Sequence, residues 1–195
     1  MLRPIRISAP GAKPVSLLEA KGAAKVDFGD DDALIEGMID AAISHLDGWS
    51  GVLGRCLINQ DWRLSHCDWP SYRFIRLPFP DVSAVTVKYF DEDNAEQTVS
   101  SSLVTRFEDE RGTVIRFSDD FAFPSVFDDR GDGVQVEFTA GYGAAATDVP
   151  RAIRTAILLM VAHWYNNREA STEGQRSEIP FGASALIAPF RRVGV

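Results

Sequence analysis

Val149–Glu169 reads VPRAIRTAILLMVAHWYNNRE, and this stretch decides the fold because it predicts a long helix with little polar surface. Asp148 can cap this helix, and Pro150 suits its first turn, where a missing N–H costs nothing. Apolar residues follow the helical period and spread onto neighbouring faces: Ile153, Ile157, Met160, Val161 and Trp164, with Leu158, Leu159 and Ala162 beside them. Because the chain offers few other helices as cover, we expect part of the cover to come from another copy. The pattern indicates assembly rather than catalysis.

A shorter helix is predicted to begin after Ser16. The stretch Ser16–Glu19 has the form of a capping box, in which a hydroxyl and a carboxylate satisfy reciprocal backbone donors. The helix is expected to run to about Lys25. We expect three of its residues to point inward: Leu17, Leu18 and Ala24.

A second N-terminal helix is predicted over roughly residues 31–50. The negative charges of residues 30–32, all aspartates, complement the dipole at its start, and Gly51 and Gly54 end it. One apolar stripe follows the helical spacing: Ile35, Met38, Ile39, Ala42, Leu46 and Trp49. We expect this stripe to share a core with Ile153, Ile157 and Trp164.

From Leu57 onward the period of the apolar residues changes from helical to alternating, which is typical of strands. The predicted strands are Ile58–Leu64, Tyr72–Leu77, Val82–Phe90, Gln97–Val99, Leu103–Phe107, Thr113–Phe117 and Val134–Thr139. A short final helix, Ala183–Phe190, follows a polar loop at 170–177.

The order of these elements predicts an α+β fold. Helices from both ends form a small helical bundle, residues 14–55 together with 148–192. An antiparallel β module of about six strands, residues 56–141, is inserted between them.

Composition excludes several classes of function. The chain has 195 residues and a formal net charge of −8. Avid binding to a phosphate backbone needs clustered Lys and Arg, so direct nucleic-acid recognition is disfavoured, although an acidic passage would let DNA slide. Two cysteines are too few for a disulfide framework and favour a reducing compartment. The N-terminal stretch lacks the apolar core of a signal peptide, and no window reaches the roughly 18 apolar residues of a membrane span.

Three patterns have the appearance of chemical motifs, and each is incomplete. Cys56, His66 and Cys67 lack the paired spacing and the fourth ligand of a zinc site. The segment Gly141–Ala146 matches G-x-G-x-x-A but precedes a lone helix rather than a βαβ unit, so we interpret it as a flexible joint. The segment Asp128–Gly133 begins like a calcium loop, but Arg130 stands where an oxygen ligand is needed. We therefore predict no catalytic residue, no cofactor and no metal site.

The C-terminal segment is apolar with a basic end, from Ile179 to Arg192. Apolar and Arg residues beyond the last large helix often anchor on a partner. The alternative is that this short helix folds back on the core of its own chain. The sequence leaves both interpretations open.

Several short motifs are characteristic in combination. The N-terminal motifs are PVSLLEAK (14–21), VD (26–27) and DDALI (31–35). The later motifs are FTAGYG (138–143), VP (149–150), AILL (156–159), HWYNNRE (163–169), PFG (180–182) and LIAPFR (186–191). Taken together, these motifs resemble the head–tail connector (adaptor) family of tailed phages and gene transfer agents, and more narrowly its gp6-like and gp8-like members.

The resemblance implies a structural function in the particle, with assembly taking place in the bacterial cytoplasm. Such proteins form a ring, usually of twelve subunits, beneath the portal; the ring extends the DNA channel and carries the stopper and other tail proteins. DNA passes without specific binding, and no membrane is involved. Carried onto this chain, the resemblance gives these candidates for portal contact: Phe181, Leu186, Ile187, Phe190, Arg191 and Arg192. The alternatives are another virion component, a stopper or a tail terminator, or a small-molecule enzyme that uses the glycine-rich segment 141–146.

Overall fold

The computed structural model describes residues 2–167 and 180–192. The described chain divides into two units. Residues 12–58, 143–167 and 180–192 form a helical unit, and residues 2–11 and 59–142 form a β unit. The α+β class predicted from the sequence is confirmed, with helices from both ends of the chain in one unit and the strands in the other.

The helical unit is built around its longest helix. Its helices are α1 (Leu17–Ala24), α2 (Asp32–Leu46), α3 (Arg151–Asn166) and α4 (Phe181–Ile187), and a 3₁₀ turn follows at Ala188–Phe190. The helix α3 packs against α1, α2 and α4, which explains how so apolar a helix is covered. Its fully buried side chains include Ile153, Ala156, Ile157 and Met160. Within the described residues, no helix is both long enough and apolar enough to cross a membrane.

The predicted capping box at the start of α1 is confirmed. The Glu19 backbone N–H donates to the Ser16 hydroxyl at 3.2 Å, and the Ser16 N–H donates to the Glu19 carboxylate at 2.9 Å. The predicted inward position of Leu18 is wrong, because this side chain is 81% exposed. The buried residues are Ala20 and Ala24, four positions apart, so the inner face of α1 is narrow and small.

The helix α2 ends earlier than predicted. It stops at Leu46, after which Asp47 is extended and Gly48 adopts a left-handed φ of 74°. The Asp47 carboxylate accepts a hydrogen bond of 2.6 Å from the Leu57 N–H. Trp49 therefore lies outside the helix and is exposed, which corrects its predicted place in the core. Four residues of the predicted stripe are fully buried: Ile35, Ile39, Ala42 and Leu46.

The start of α3 also differs from the prediction. Pro150 occupies the position just before the helix. Asp148 belongs to a preceding 3₁₀ turn, Ala146–Asp148, where its carboxylate accepts a hydrogen bond of 2.9 Å from the Ala145 N–H. A proline at that point fixes the entry of the chain, so α3 begins without a side-chain cap. The predicted end of this helix at 168–169 lies outside the described residues.

The β unit has eight strands in two antiparallel sheets, against about six expected for the module, and seven of them overlap the strand segments predicted from the sequence. They are β1 (Ile5–Ser8), β2 (Gln60–His66), β3 (Phe74–Arg76), β4 (Val82–Phe90), β5 (Glu96–Thr98), β6 (Val104–Asp109), β7 (Gly112–Phe117) and β8 (Val134–Ala140). The five-stranded sheet has the order β1-β2-β8-β4-β5, and the three-stranded sheet has the order β3-β7-β6. The strand missed from the sequence is β1, which lies at an outer edge and has no buried residue to reveal it.

The core of the β unit lies on one face of the five-stranded sheet. Trp62 and Leu64 of β2 pair with Phe138 and Val136 of β8, and all four side chains are buried. Phe79 contributes a fifth large side chain, with its ring centroid 4.9 Å from that of Trp62. The opposite face carries charged residues, as the alternation in the sequence predicts.

Candidate docking surface of the C-terminal segment

The segment 180–192 folds against the rest of the helical unit. The side chains of Ala183 and Ile187, one helical turn apart in α4, are buried, and α4 packs on α3. Beyond the 3₁₀ turn, the Arg192 N–H donates a hydrogen bond of 2.9 Å to the Leu53 carbonyl. Gly54 makes this approach feasible, because its φ is +63° and a Cβ there would lie 3.3 Å from the Cβ of Arg192.

The same segment presents an outward surface, which we call the docking surface: Phe181, Leu186, Phe190, Arg191 and Arg192. Phe181 is 87% exposed, and Arg191 is also exposed. Leu186, Phe190 and Arg192 are half-buried. Ile187, the sixth residue predicted for portal contact, is only 5% exposed and holds α4 in place from its inner side.

Leu159 of α3 extends the docking surface, although the helical pattern of the sequence predicts that this side chain is covered. Its side chain is 40% exposed, and its Cδ1 atom lies 3.9 Å from the position that a Cβ at Gly182 would take. The helical period contains this signal, since Leu159 lies roughly 200° around the helix from the buried Ile157. An exposed leucine therefore adjoins the first turn of α4, where Phe181 is also exposed.

The three residues considered for zinc do not form a site. Cys56 is buried in the helical unit, whereas His66 and the exposed Cys67 belong to the β unit. Burial lowers the pKa of His66 below its ordinary value of 6.5. Across residues 2–167 and 180–192, no three His, Cys, Asp or Glu side chains come together in a way that would hold a metal ion.

The Asp148 carboxylate occupies the space beside the glycine-rich segment 141–146. A Cβ on Gly143 would meet the Asp148 carboxylate at 2.2 Å, and that carboxylate accepts the Ala145 N–H. A phosphate held by the backbone of this segment would need the space and the donor that Asp148 uses. The boundary between the two units falls in this segment, between Tyr142 and Gly143.

The calcium-like segment is closed by an arginine. The Arg130 guanidinium makes two hydrogen bonds of 3.0 Å to the Asp132 carboxylate and lies 3.5 Å from the centroid of the Phe90 ring. The hydrogen bonds from Arg130 lower the pKa of Asp132. The Asp132 carboxylate, which a bound cation would need, is thus already paired with the Arg130 side chain.

The sequence shows to which known protein family the chain belongs, which the geometry alone does not. The family of phage gp6-like head–tail connector proteins matches residues 92–191, which include β5 to β8, α3 and α4. The chain belongs to this family. No protein of curated function matches this connector by sequence.

Several solved structures share the fold of the connector. A chain in the neck of an empty gene transfer agent (GTA) particle, computed with C6 symmetry, matches with a TM-score of 0.78 and 24% identity. A chain in the virion of a native GTA particle matches with a TM-score of 0.76, and one in the neck of a native GTA particle, computed with C12 symmetry, with 0.75. Each match has 24% identity and covers 100% of this chain and 97% of the other. The matches therefore show that this chain shares its fold with these chains.

Proposed function

We propose that this chain is a structural subunit of the junction between head and tail in a phage or GTA particle. Twelve copies form a ring beneath the portal, which extends the DNA channel and carries the stopper and other tail proteins. The observation that carries the proposal is the family match, because it runs from Glu92 to Arg191 and so includes α3 and most of the docking surface. The fold shared with chains of GTA necks supports the same place in the particle.

The docking surface is the proposed contact with the portal. Aromatic and Arg side chains are enriched at the energetic centres of protein interfaces, and this surface presents both types together. Phe181 is the proposed anchor because 87% of its side chain is exposed in the free chain. Ile187 contributes from the inner side, since it fixes the orientation of α4.

The proposed mechanism is binding, without chemistry. Rings of identical subunits close through head-to-tail contacts between two different surfaces of each copy. DNA passes through the ring without specific recognition, because a chain with 20 basic and 28 acidic residues repels a phosphate backbone on balance.

Co-sedimentation with the assembled portal of the same genetic element tests the function. The expected result is saturable binding at about one copy per portal subunit. No binding to a well-formed portal would contradict the adaptor role and would favour another neck or tail component, such as a stopper or a tail terminator. Electron microscopy of labelled particles would then locate the chain.

The docking surface is tested by replacing Phe181 with alanine. Because this side chain is exposed, we expect the free energy of unfolding to change by less than about 0.5 kcal/mol. Portal affinity should fall about 10- to 30-fold, as for truncation of an interface anchor. The matched control is Leu18→Ala, which removes another highly exposed apolar side chain of the same unit. Equal effects of the two substitutions would contradict the assignment of Phe181.

A further inference from the structure

The five-stranded sheet carries a line of alternating charges across four of its strands. Arg63 of β2 lies 2.6 Å from one oxygen of Glu137 on β8, and Lys88 of β4 lies 3.3 Å from the other oxygen. Lys88 also lies 3.4 Å from Glu96 on β5. The order of charges is therefore positive, negative, positive, negative, and opposite charges on neighbouring strands stabilise a sheet.

The charged forms of the residues in this line are stabilised by their neighbours in the sheet. Burial alone would raise the pKa of Glu137, but hydrogen bonds from Arg63 and Lys88 outweigh it, so that the pKa is lowered. A hydrogen bond to Glu137 raises the pKa of Lys88. Both partners are thus held in their charged forms, and the line ends on a carboxylate at the outermost strand.

The edge formed by β5 has an excess of negative charge. All three residues of β5 are exposed, and the outer side of this strand pairs with no other strand among the described residues. Glu96 is 48% exposed. The preceding turn adds Glu92 and Asp93, which are exposed and make no ion pair within the described part of the chain.

The opposite edge of the same sheet, formed by β1, carries positive rather than negative charge. The outermost strand there is β1, and all four of its residues are exposed, with Ile5 at 52% and Ile7 at 47%. Arg3 and Arg6 are also exposed, and neither makes an ion pair within the described residues; the Arg6 guanidinium donates a hydrogen bond of 3.5 Å to the Gln60 side chain. Arg6 pairs with Trp62 and Ile5 pairs with Arg63, so Ile5 is the residue of β1 on the face that carries the line of charges. A bulge between Arg6 and Ser8 interrupts the pairing with β2. This edge therefore combines apolar side chains with positive charge.

We propose that β1 of one copy packs against β5 of the next copy, so that the five-stranded sheet continues between subunits. The proposal rests on ring assembly and names the contact between neighbours. A head-to-tail ring needs two different surfaces that fit each other, and the two edges of this sheet differ in charge and lie at its opposite ends. The contact also covers two exposed isoleucines and pairs two open edges, which otherwise favour uncontrolled association.

Site-specific cross-linking tests the contact directly. One variant carries Ile5→Cys and another carries Thr98→Cys, both with the exposed Cys67 replaced by serine. The two proteins are mixed, assembled on the portal and treated with a short thiol-reactive cross-linker. We expect covalent dimers in the mixture and none with either variant alone. A double variant should give a ladder of covalent multimers, because β1 and β5 of one copy lie four strand spacings, roughly 19 Å, apart.

A matched control replaces the partner position. Phe107→Cys places a thiol at another exposed site of the β unit, on β6 of the three-stranded sheet. Mixed with the Ile5→Cys protein, it should give no dimers. Equal cross-linking of both mixtures, or none in rings verified by electron microscopy, would overturn the β1–β5 contact.

Charge reversal provides an independent measurement. Arg6→Glu and Glu96→Lys should each lower the fraction of copies in rings several-fold, because each reverses a charge on one of the two edges. Unchanged assembly of both variants would contradict the contact.

The experiments distinguish a failure of the proposed function from a failure of the β1–β5 contact. If the wild-type chain does not bind the portal, the cross-linking is performed on the concentrated free protein. Dimers in the mixture would then support the contact and reject the adaptor role. Portal binding without cross-links would leave the adaptor role and reject the contact.

Discussion

At the residue scale, Arg76 and Asp109 form a two-pronged ion pair between β3 and the end of β6. Two guanidinium nitrogens donate to the two carboxylate oxygens at 2.6 and 2.5 Å. These hydrogen bonds, helped by the Arg111 N–H, lower the pKa of Asp109 from 3.8 to about 2. The folded-state pKa lies below the unfolded value, so the pair stabilises the fold above about pH 4. This stabilisation is lost as the pH falls toward 2.

The expected titration can be measured by NMR on the Asp109 carboxyl carbon. In the wild-type chain the midpoint should lie near pH 2, and in Arg76→Gln it should move back toward 3.8. Arg116→Gln is the matched control, because Arg116 lies near Asp119 instead. A midpoint that Arg116→Gln moves as much as Arg76→Gln would show a general charge effect rather than this pair.

Gly143 is a second residue whose role follows from a close approach. Its Cβ position lies 2.2 Å from Oδ2 and 2.6 Å from Cβ of Asp148, so rotation of that side chain does not remove the clash. Gly143→Ala should displace the carboxylate from the Ala145 N–H and lower the free energy of unfolding of the helical unit by about 1–3 kcal/mol. Chemical denaturation followed by helical circular dichroism measures this loss.

The control for that substitution is Gly131→Ala, since nothing lies within 4 Å of the added Cβ. We expect a change of less than about 0.5 kcal/mol there. If Gly143→Ala were equally mild, Asp148 would not be needed to hold the turn before α3.

At the element scale, Gly37 lies in the interior of α2 at a position where alanine should be more stable than glycine. Gly37 is exposed in the helix interior, and an added Cβ would meet nothing within 4 Å. Gly37→Ala should therefore raise the free energy of unfolding by about 0.5–1 kcal/mol, because alanine loses less backbone entropy in a helix. The reverse substitution Ala41→Gly, at another exposed position of α2, should lower it by a similar amount. Thermal melts followed at a helical wavelength check both, and a loss in Gly37→Ala would contradict this reasoning.

The elements show how far a single sequence determines structure. The capping box of α1 and the stripe of α2 could be predicted, because local hydrogen bonding and helical spacing fix them. The strand β1 could not, because Ile5–Ser8 owes its conformation to β2, more than 50 residues later. Leu18 and Trp49 were misplaced for a related reason. An apolar side chain at helical spacing shows that a face exists, but tertiary packing decides which face is covered.

The sequence predicted which residue types the docking surface contains, but not which of their side chains are exposed. The composition of residues 180–192 indicates an apolar segment with a basic end. The structure shows that this segment folds back on the helical unit and also presents an outer surface. The two interpretations left open by the sequence therefore describe two sides of the same short helix. The exposure of Phe181 and the burial of Ile187 depend on how α4 meets α3, which only the folded helical unit defines.

At the scale of the whole molecule, residues 59–142 of the β unit are an insertion whose two ends meet, while residues 2–11 of the same unit precede the helical unit in the chain. The insertion begins with β2 and ends with β8, and Gln60 and Ala140 are cross-strand partners. Their Cα atoms therefore lie about 5 Å apart, a distance that a short flexible linker spans. The four helices bury their apolar faces against one another within the helical unit. Residues 12–58 and 143–195 joined by such a linker should consequently fold without the β unit.

This truncated chain separates the two proposed contacts. We expect helical circular dichroism with a cooperative melt, and portal binding that Phe181→Ala weakens as in the full chain, because the docking surface lies in the helical unit. Covalent or stable contacts between neighbours should be weakened, because both β1 and β5 are missing. An unfolded product would show that the helical core needs the β unit. A folded product that does not bind the portal would move the portal contact away from α4 and into the strands.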